Sequence, residues 1–554
     1  MSRPAIVQSD RTILLEVDGP GYIEARDRLA VFAELVKSPE HIHTYRITPI
    51  SLWNAAAIGH GPKQIVDSLR KISKYAVPEN IEREIFDFAS RYGKLSLIRS
   101  GEKLILESTD PFLLRELHNH DKITPFLDAP LSETRTEVPS RLRGHLKQAL
   151  IKIGWPVEDK AGFDEGDKLE IKLRKETESG EPFELREYQR EAVECFNAGR
   201  GGGVIVLPCG AGKTIVGICA MQTLQTKTLI LTTSVTAVRQ WIRELVDKTE
   251  LDREDIGEYT GHVKEMKPVT ITTFHMISHR TSKKGPFPHF SIFDRQNWGL
   301  IVYDEVHLLP APVFRVTAEI QSKRRLGLTA TLVREDGRED DVFSLIGPKR
   351  YDVPWKELEK QGWIAKAVCK EVRLMLNGEK RLEYAVAGRR KRYRIAAENP
   401  RKVELIRAIL ERHEKANVIV IGQYLTQVSK LRDELDAPLI TGKTNAKERD
   451  RLYDAFRKGD INLLVVSKVG NFAIDLPDAN VLIQVSGSFG SRQEEAQRLG
   501  RILRPKSDRS MAHFYTLITK NSDEMEFAAK RQLFLTEQGY KYIILDEREF
   551  DEAP

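Results

Sequence analysis

The chain holds only four cysteines, Cys195, Cys209, Cys219 and Cys369, and no two of them share a C-x-x-C spacing. That excludes a zinc ribbon or a four-cysteine iron–sulfur cluster, and it fits buried thiols in a reducing compartment. Nowhere do about 18 apolar residues follow one another, so no membrane-crossing helix is expected. The opening MSRPAIVQSDR lacks the apolar run of a secretion signal. Low-complexity tracts and internal repeats are also missing, which removes solenoids from consideration. Charge of one sign is scarce: 87 Lys and Arg against 81 Asp and Glu leave +6 over 554 residues. Such a balance excludes a histone-like protein and an acidic disordered chain, but not a nucleic-acid partner. The length predicts about three or four domains.

The first hundred residues read as a separate module. Residues 13–17 read as a strand, and Leu29, Phe32, Ala33 and Val36 follow at helical spacing. Thr48-Pro49 starts a helix with Leu52, Trp53 and Ala56 on one face. Gly61-Pro62 starts a second, with Ile65, Leu69 and Ile72 inward. A third begins near Pro78-Glu79, carries Ile81, Ile85, Phe88 and Tyr92, and stops at Gly93. Strands at 94–98 and 103–107 complete the order of a winged helix. The third helix would then enter a DNA groove, yet it holds Glu79, Glu82, Glu84 and Asp87 against Arg83 and Arg91. An acidic helix makes a poor phosphate-facing element, so protein contact or packing is the preferred role. Further on, 139–153 reads as a basic amphipathic helix with Leu142, Leu146 and Leu150 inward, 168–175 as a strand, and 176–182 as a polar linker.

From residue 185 to about 542, Val-, Ile- and Leu-rich runs alternate with helical patterns, at 204–207, 228–231, 270–273, 300–303, 418–421 and 463–466. Such runs belong to parallel strands covered on both faces, and two α/β sheets in tandem are expected. The first run leads into Pro208-Cys209-Gly210-Ala211-Gly212-Lys213-Thr214 and then a helix. Backbone N–H groups and the helix dipole at such a turn meet phosphates. Lys213 would reach the β- and γ-phosphates of a nucleotide, and Thr214 would hold Mg²⁺. Pro208 stands where the full pattern asks for Gly, and alone the segment also fits a turn with a solvated lysine. Leu300-Ile301-Val302-Tyr303-Asp304-Glu305-Val306-His307 narrows the choice. It is an apolar strand ending in two carboxylates, Asp304 suited to Mg²⁺ and Glu305 to polarising a water.

Asp304-Glu305-Val306-His307, followed by Thr329-Ala330-Thr331, resembles the superfamily-2 helicases, from residue 185 to about 504. Arg334-Glu335-Asp336, just after Thr331-Leu332-Val333, resembles the XPB family of DNA helicases and translocases more narrowly. So do Ser467-Lys468-Val469-Gly470-Asn471, Asp475-Leu476-Pro477 and the run from Gly490 through Gln497-Arg498-Leu499-Gly500-Arg501. Ile6-Val7-Gln8-Ser9-Asp10 and His43-Thr44-Tyr45-Arg46 extend the likeness over nearly the whole chain, most like compact prokaryotic members.

The resemblance implies an α/β protein with two tandem RecA-like parallel-sheet motor domains after a smaller α+β, winged-helix-like module. It divides the chain into that module (1–108), an accessory, damage-recognition-like segment and linker (109–182), an ATP-binding domain (183–355), a C-terminal helicase domain (356–545) and an acidic tail (546–554). Leu185, Arg186 and Gln189 look like the adenine-reading element. His307, Thr329 and Thr331 would couple ATP state to nucleic-acid grip. Arg501 and Arg504, on one helical face, would act as fingers on the γ-phosphate, with Gln497 and Asp475 beside them. Thr232, Thr233, Arg239, Gln240, Thr273 and His275, with Ser467 and Lys468 in the second sheet, fall where this superfamily touches DNA, and Arg334, Glu335 and Asp336 join that group.

Residues 381–402 carry eight basic residues and two acids, the whole of the +6 excess. A charge run alone is often a solvated face. Here Arg389, Arg390, Lys391, Arg392 and Arg394 lie among Tyr384 and Tyr393, a pattern of DNA grips, at the place of the thumb-like insertion of XPB relatives. The reading is an ATP- and Mg²⁺-dependent DNA helicase or translocase in DNA repair, with 3′–5′ polarity implied by the resemblance alone. Its partners would be duplex or forked DNA and a nuclease or repair protein, with no membrane. Its expected place is the cytoplasm, at the nucleoid if the source is prokaryotic. Two alternatives stay open: a duplex translocase that serves a nuclease without strand separation, and an ATP-switched clamp that does not hydrolyse. RNA is disfavoured by the resemblance alone.

Overall fold

All six apolar runs lie in two seven-stranded, wholly parallel sheets. The computed structural model describes residues 3–38, 41–208, 210–280, 287–321, 323–330, 339–353, 355–467, 479–486, 500, 511–538, 540 and 542–552. The chain divides into two compact units, the first holding almost everything up to Val353 and the second almost everything after it.

The first motor sheet runs Ile256–Tyr259, Val269–Thr273, Thr228–Thr232, Leu300–Asp304, Arg324–Thr329, Gly202–Val206, Lys349–Asp352. Residues such as Val204, Leu229, Ile301 and Tyr303 are fully buried within it, as a sheet covered by helices on both faces requires. The second runs Leu439–Ile440, Leu463–Ser467, Val418–Gly422, Val481–Gln484, Ala512–Thr519, Ala367–Leu374, Tyr542–Asp546. Both are RecA-like. Among the described residues, no helix is long and apolar enough to cross a membrane.

The N-terminal part differs from the winged-helix order. A four-stranded sheet (Ala5–Val7, Thr12–Glu16, Ile42–Arg46, Glu34–Lys37) accompanies the three expected helices, Pro49–Ala57, Pro62–Ile72 and Glu79–Arg91. Thr48 caps the first of these in a capping box with Ser51. The preceding helix ends at Phe32, and Val36 lies in a strand rather than on that helix. The hairpin Leu95–Ser100 and Lys103–Ser108 is no wing. Its outer edges are covered by Arg135–Val138 and Val157–Asp159, which makes it the centre of a five-stranded sheet running across residue 108. The strand expected at 168–175 pairs only at Lys168 with Thr226 and Leu173 with Thr249.

The helix Arg143–Lys152 joins this accessory sheet to the first motor. Leu146 and Leu150 enter the accessory core, as their spacing predicts. The same helix lies so close to the motor helix Ala311–Glu319 that a Cβ on Gly144 would stand 2.3 Å from the Ala318 carbonyl oxygen. Its charges face inward as well: Arg143 Nη2 is 2.6 Å from Asp159 Oδ1, and Lys147 Nζ is 3.0 Å from Asp159 Oδ2 and 3.0 Å from Gln321 Oε1. Arg325 completes the buried cluster.

Candidate nucleotide and DNA site

In a parallel sheet all strands end on one edge, and there the loops can converge. Strand Gly202–Val206 ends there, and helix Lys213–Leu224 begins after a turn in which Gly210 and Gly212 take φ of 82° and 77°. Glycine adopts that backbone freely. At Gly212 space also demands it, since a Cβ would stand 2.6 Å from Gln189 Nε2. Gln189 Oε1 accepts the Arg186 N–H at 3.0 Å, which fixes the buried amide with its nitrogen toward the phosphate loop. Leu185 lies just before, its carbonyl accepting from Arg190 at 2.8 Å.

Two strands away, Leu300–Asp304 delivers the carboxylates. Asp304 Oδ2 accepts the Trp241 indole N–H at 2.9 Å. Glu305 stands at φ 55°, a left-handed conformation uncommon for a residue with a side chain and typical of functional turns. That turn places Glu305 Oε1 3.5 Å from Lys213 Nζ and Oε2 3.4 Å from His307 Nδ1. His307 Nδ1 is in turn 2.6 Å from Thr329 Oγ1. Lys213, Glu305, His307 and Thr329 thus form one connected chain of polar contacts, with Asp304 adjoining it.

The two carboxyls are driven apart. Burial, then the charge of Glu305, push Asp304 up to about 6. Burial presses on Glu305 too, but Lys213 and then His307 outweigh it and hold Glu305 below its usual value. Glu305 therefore stays ionised at neutral pH, while Asp304 is a carboxylate in want of a cation. The glycine cradle, the lysine and this carboxylate within the field of Lys213 fit a nucleoside triphosphate with a divalent metal.

Thr232 and Thr273 are register partners at the same sheet edge, but both are buried, and the Thr273 hydroxyl caps the helix Phe274–Ser278 by accepting the Met276 N–H at 3.0 Å. Of that expected group, His275 and Arg239 are exposed, Arg239 lying 3.7 Å from Glu258. Ser467 is buried at its strand end. Cys209, Thr331, Arg334, Glu335, Asp336, Lys468, Asp475, Gln497, Arg501 and Arg504 lie outside the described residues.

The basic run 381–402 spans a helical hairpin, Gly378–Val386 and Arg389–Ala397, and the start of the next helix. Of its tyrosines, Tyr393 is buried edge-on to Phe527 at 5.2 Å, and the half-buried Tyr384 accepts the Asp523 N–H at 2.9 Å. Lys402 is buried against Glu524 at 3.0 Å, and Arg401 pairs with Glu547. Arg394 pairs with Glu398 at 3.0 Å and Lys391 with Glu383 at 3.2 Å. Arg381, Arg389, Arg390 and Arg392 have no carboxylate within 4.0 Å among the described residues, so they bear the surface excess.

Comparison with known proteins decides the family. The chain is 54% identical over 544 residues to "DNA 3'-5' helicase XPB" of Mycobacterium tuberculosis, covering 98% of each chain. The chain belongs to the XPB family. A second XPB, from Kineococcus radiotolerans, is 52% identical over 99% of this chain and 97% of its own. The "General transcription and DNA repair factor IIH helicase/translocase subunit XPB" of Enterocytozoon bieneusi is 34% identical over 97% and 92%. By segment, residues 358–553 match the ERCC3/RAD25/XPB C-terminal helicase family and 182–334 the type III restriction enzyme res subunit. Residues 5–131 match a family described as helicase conserved C-terminal domain, here at the N-terminal end of the chain.

Sequence reasoning missed Trp241 in this XPB-family site, because it sits at helical spacing with Val238 and Leu245 and reads as core. The available signal was Gly217, midway along the phosphate-loop helix, where a Cβ would stand 2.5 Å from the Trp241 ring. The glycine leaves room for the indole that holds Asp304.

Proposed function

We propose that this chain is an ATP-dependent 3′–5′ DNA helicase or translocase of the XPB type, acting in DNA repair. The observation that carries the reading is the linked set Lys213, Glu305, His307 and Thr329 beside Asp304 on one edge of a parallel sheet. Lys213, with the backbone around Gly210 and Gly212, would hold the phosphates of ATP, and Thr214 and Asp304 would hold Mg²⁺. When bound, the metal would supply charge neutralisation on the phosphates. Glu305, ionised, accepts a proton from the attacking water. His307 links Glu305 to Thr329, the element that would pass the nucleotide state toward the DNA-facing loops. Trp241 orients Asp304.

The DNA substrate rests on the likeness to the DNA 3'-5' helicases XPB of Mycobacterium tuberculosis and Kineococcus radiotolerans. Support within the chain comes from Arg389, Arg390 and Arg392, which place uncompensated charge on a helical hairpin. Arg501 and Arg504 are assigned as γ-phosphate fingers from sequence.

The test compares ATP hydrolysis with single-stranded DNA, duplex, fork and RNA in parallel. DNA stimulation that is lost in Lys213→Ala and in Glu305→Gln, with DNA binding retained in the absence of ATP, is expected. Substantial turnover by either variant, or stimulation by RNA alone, would reject the assignment. Strand displacement against triplex displacement then separates unwinding from duplex pumping.

A further inference from the structure

The phosphate loop occupies one end of strand Gly202–Val206; at its other end, about 16 Å away by strand rise, the chain runs Gly199-Arg200-Gly201-Gly202-Gly203. Two of these glycines make room for an arginine. A Cβ on Gly199 or Gly203 would stand 2.5 or 2.4 Å from side-chain atoms of Arg350. Between this run and the accessory strand Val157–Asp159 lies a cavity of about 100 Å³. Lys147, Lys160, Arg200, Arg325 and Arg350 line it against two carboxylates, Glu158 and Asp159.

Both carboxylates are already engaged. Glu158 pairs with Lys160 at 2.7 Å, and Asp159 with Arg143 at 2.6 Å and Lys147 at 3.0 Å. Arg325, 1% exposed, donates to the Leu345 and Gln321 carbonyls at 2.7 and 2.8 Å and to that of Lys323. Arg350 is held by the carbonyls of Gly202, Ala57 and Gly199 at 3.1, 3.3 and 3.5 Å. Carbonyl dipoles orient a guanidinium without cancelling its charge. Neither arginine has a carboxylate within 4.0 Å among the described residues. Arg143, Lys147 and Arg325 thus share one carboxylate in a setting largely closed to water, half-buried Arg350 adds to the excess, and Arg200, which lines the same cavity, is exposed. Uncompensated charge away from water is costly, and a bound counter-anion removes that cost.

We propose that this cavity is a binding site for a free phosphate-type oxyanion, set between the accessory sheet and the first motor sheet. The space suits one tetrahedral oxyanion or a few waters and is too small for a nucleoside. Guanidinium forks at Arg200 and Arg350 and the ammonium of Lys147 match such an ion. Bound there, it ties strand Val157–Asp159 to the start of the phosphate-loop strand, remote from the nucleotide.

The experiment uses the full chain carrying Lys213→Ala, which weakens anion binding at the phosphate loop, and substitutions in the cavity lining then separate the two sites. Orthophosphate or sulfate is titrated against chloride at constant ionic strength, followed by thermal unfolding and calorimetry. A saturable rise in Tm with one-to-one binding is expected. Adding Arg200→Ala and Lys160→Ala, the exposed and the half-exposed cations of the lining, should weaken binding at least about tenfold. Stabilisation no greater than by chloride, or equal binding by the cavity variant, would overturn the proposal. If that variant misfolds, Arg200→Ala alone is decisive, since Arg200 is exposed.

Discussion

Replacing Asp159 by asparagine keeps the shape of the side chain and deletes its charge. In the native chain the carboxylate, Arg143 and Lys147 have side chains only 11, 3 and 7% exposed. Burial alone would raise the Asp159 carboxyl, but Lys147 and Arg143 outweigh it and hold it far below the usual range. Breaking a buried pair costs roughly 3–5 kcal/mol, and here two bonded cations and Arg325 lose their counter-charge together. At roughly 2–4 °C per kcal/mol for a large domain, the first thermal transition should fall by about 6–20 °C. A carboxyl with a depressed folded pKa stabilises above its unfolded pKa and ceases to do so as pH falls through the folded value. The gap between wild type and Asp159→Asn should therefore persist from neutral pH down to about pH 4 and close only below it. Adding Lys147→Met removes one stranded cation and should restore part of the loss, with a coupling of about 0.5–3 kcal/mol. A transition within about 2 °C of wild type would refute the reasoning, for it would mean that the pairs are hydrated like surface ion pairs.

Trp241→Phe keeps an aromatic ring in the core but withdraws the donor to Asp304. The expected result is a roughly tenfold to hundredfold fall in kcat, beyond the modest fall in Tm that trimming a buried indole brings, measured by steady-state ATP hydrolysis and thermal unfolding. Gly212→Ala forces a side chain into a left-handed backbone and against Gln189, so binding of a fluorescent nucleotide should weaken by at least about tenfold. Alanine at Arg389, Arg390 and Arg392 should flatten the salt dependence of duplex binding by roughly 0.9 per lost phosphate contact, and an unchanged slope would remove the hairpin from the DNA path.

The parallel strands were readable because a run such as 300–303 is apolar at every position, which leaves no exposed face to assign. Lys213 and the Asp304-Glu305 pair were readable because their chemistry depends on a local turn and a strand end. The wing was misread for the opposite reason. What makes residues 95–108 the middle of a sheet is Val157–Asp159, some fifty residues later, and pairing at that distance leaves no periodic mark. The helix Arg143–Lys152 shows the same limit. Its leucines announce one buried face, but Arg143 and Lys147 turn inward because Asp159 and Gln321 meet them there. Tyr393 likewise looked like a surface aromatic among arginines until Phe527 claimed it.

The contact of Gly144 with the Ala318 backbone bears on how this protein can be cut. An isolated first motor beginning near residue 183 would uncover Ala318 and Phe343 and leave Arg325 beside neither Asp159 nor Phe163. Such a fragment would carry every nucleotide-binding residue of its sheet and still be a poor ATPase, through loss of folding rather than of chemistry. Dissection of this chain should therefore keep the N-terminal residues attached to the first motor, and an inactive truncation should be checked for structure before it is read as the loss of a regulator.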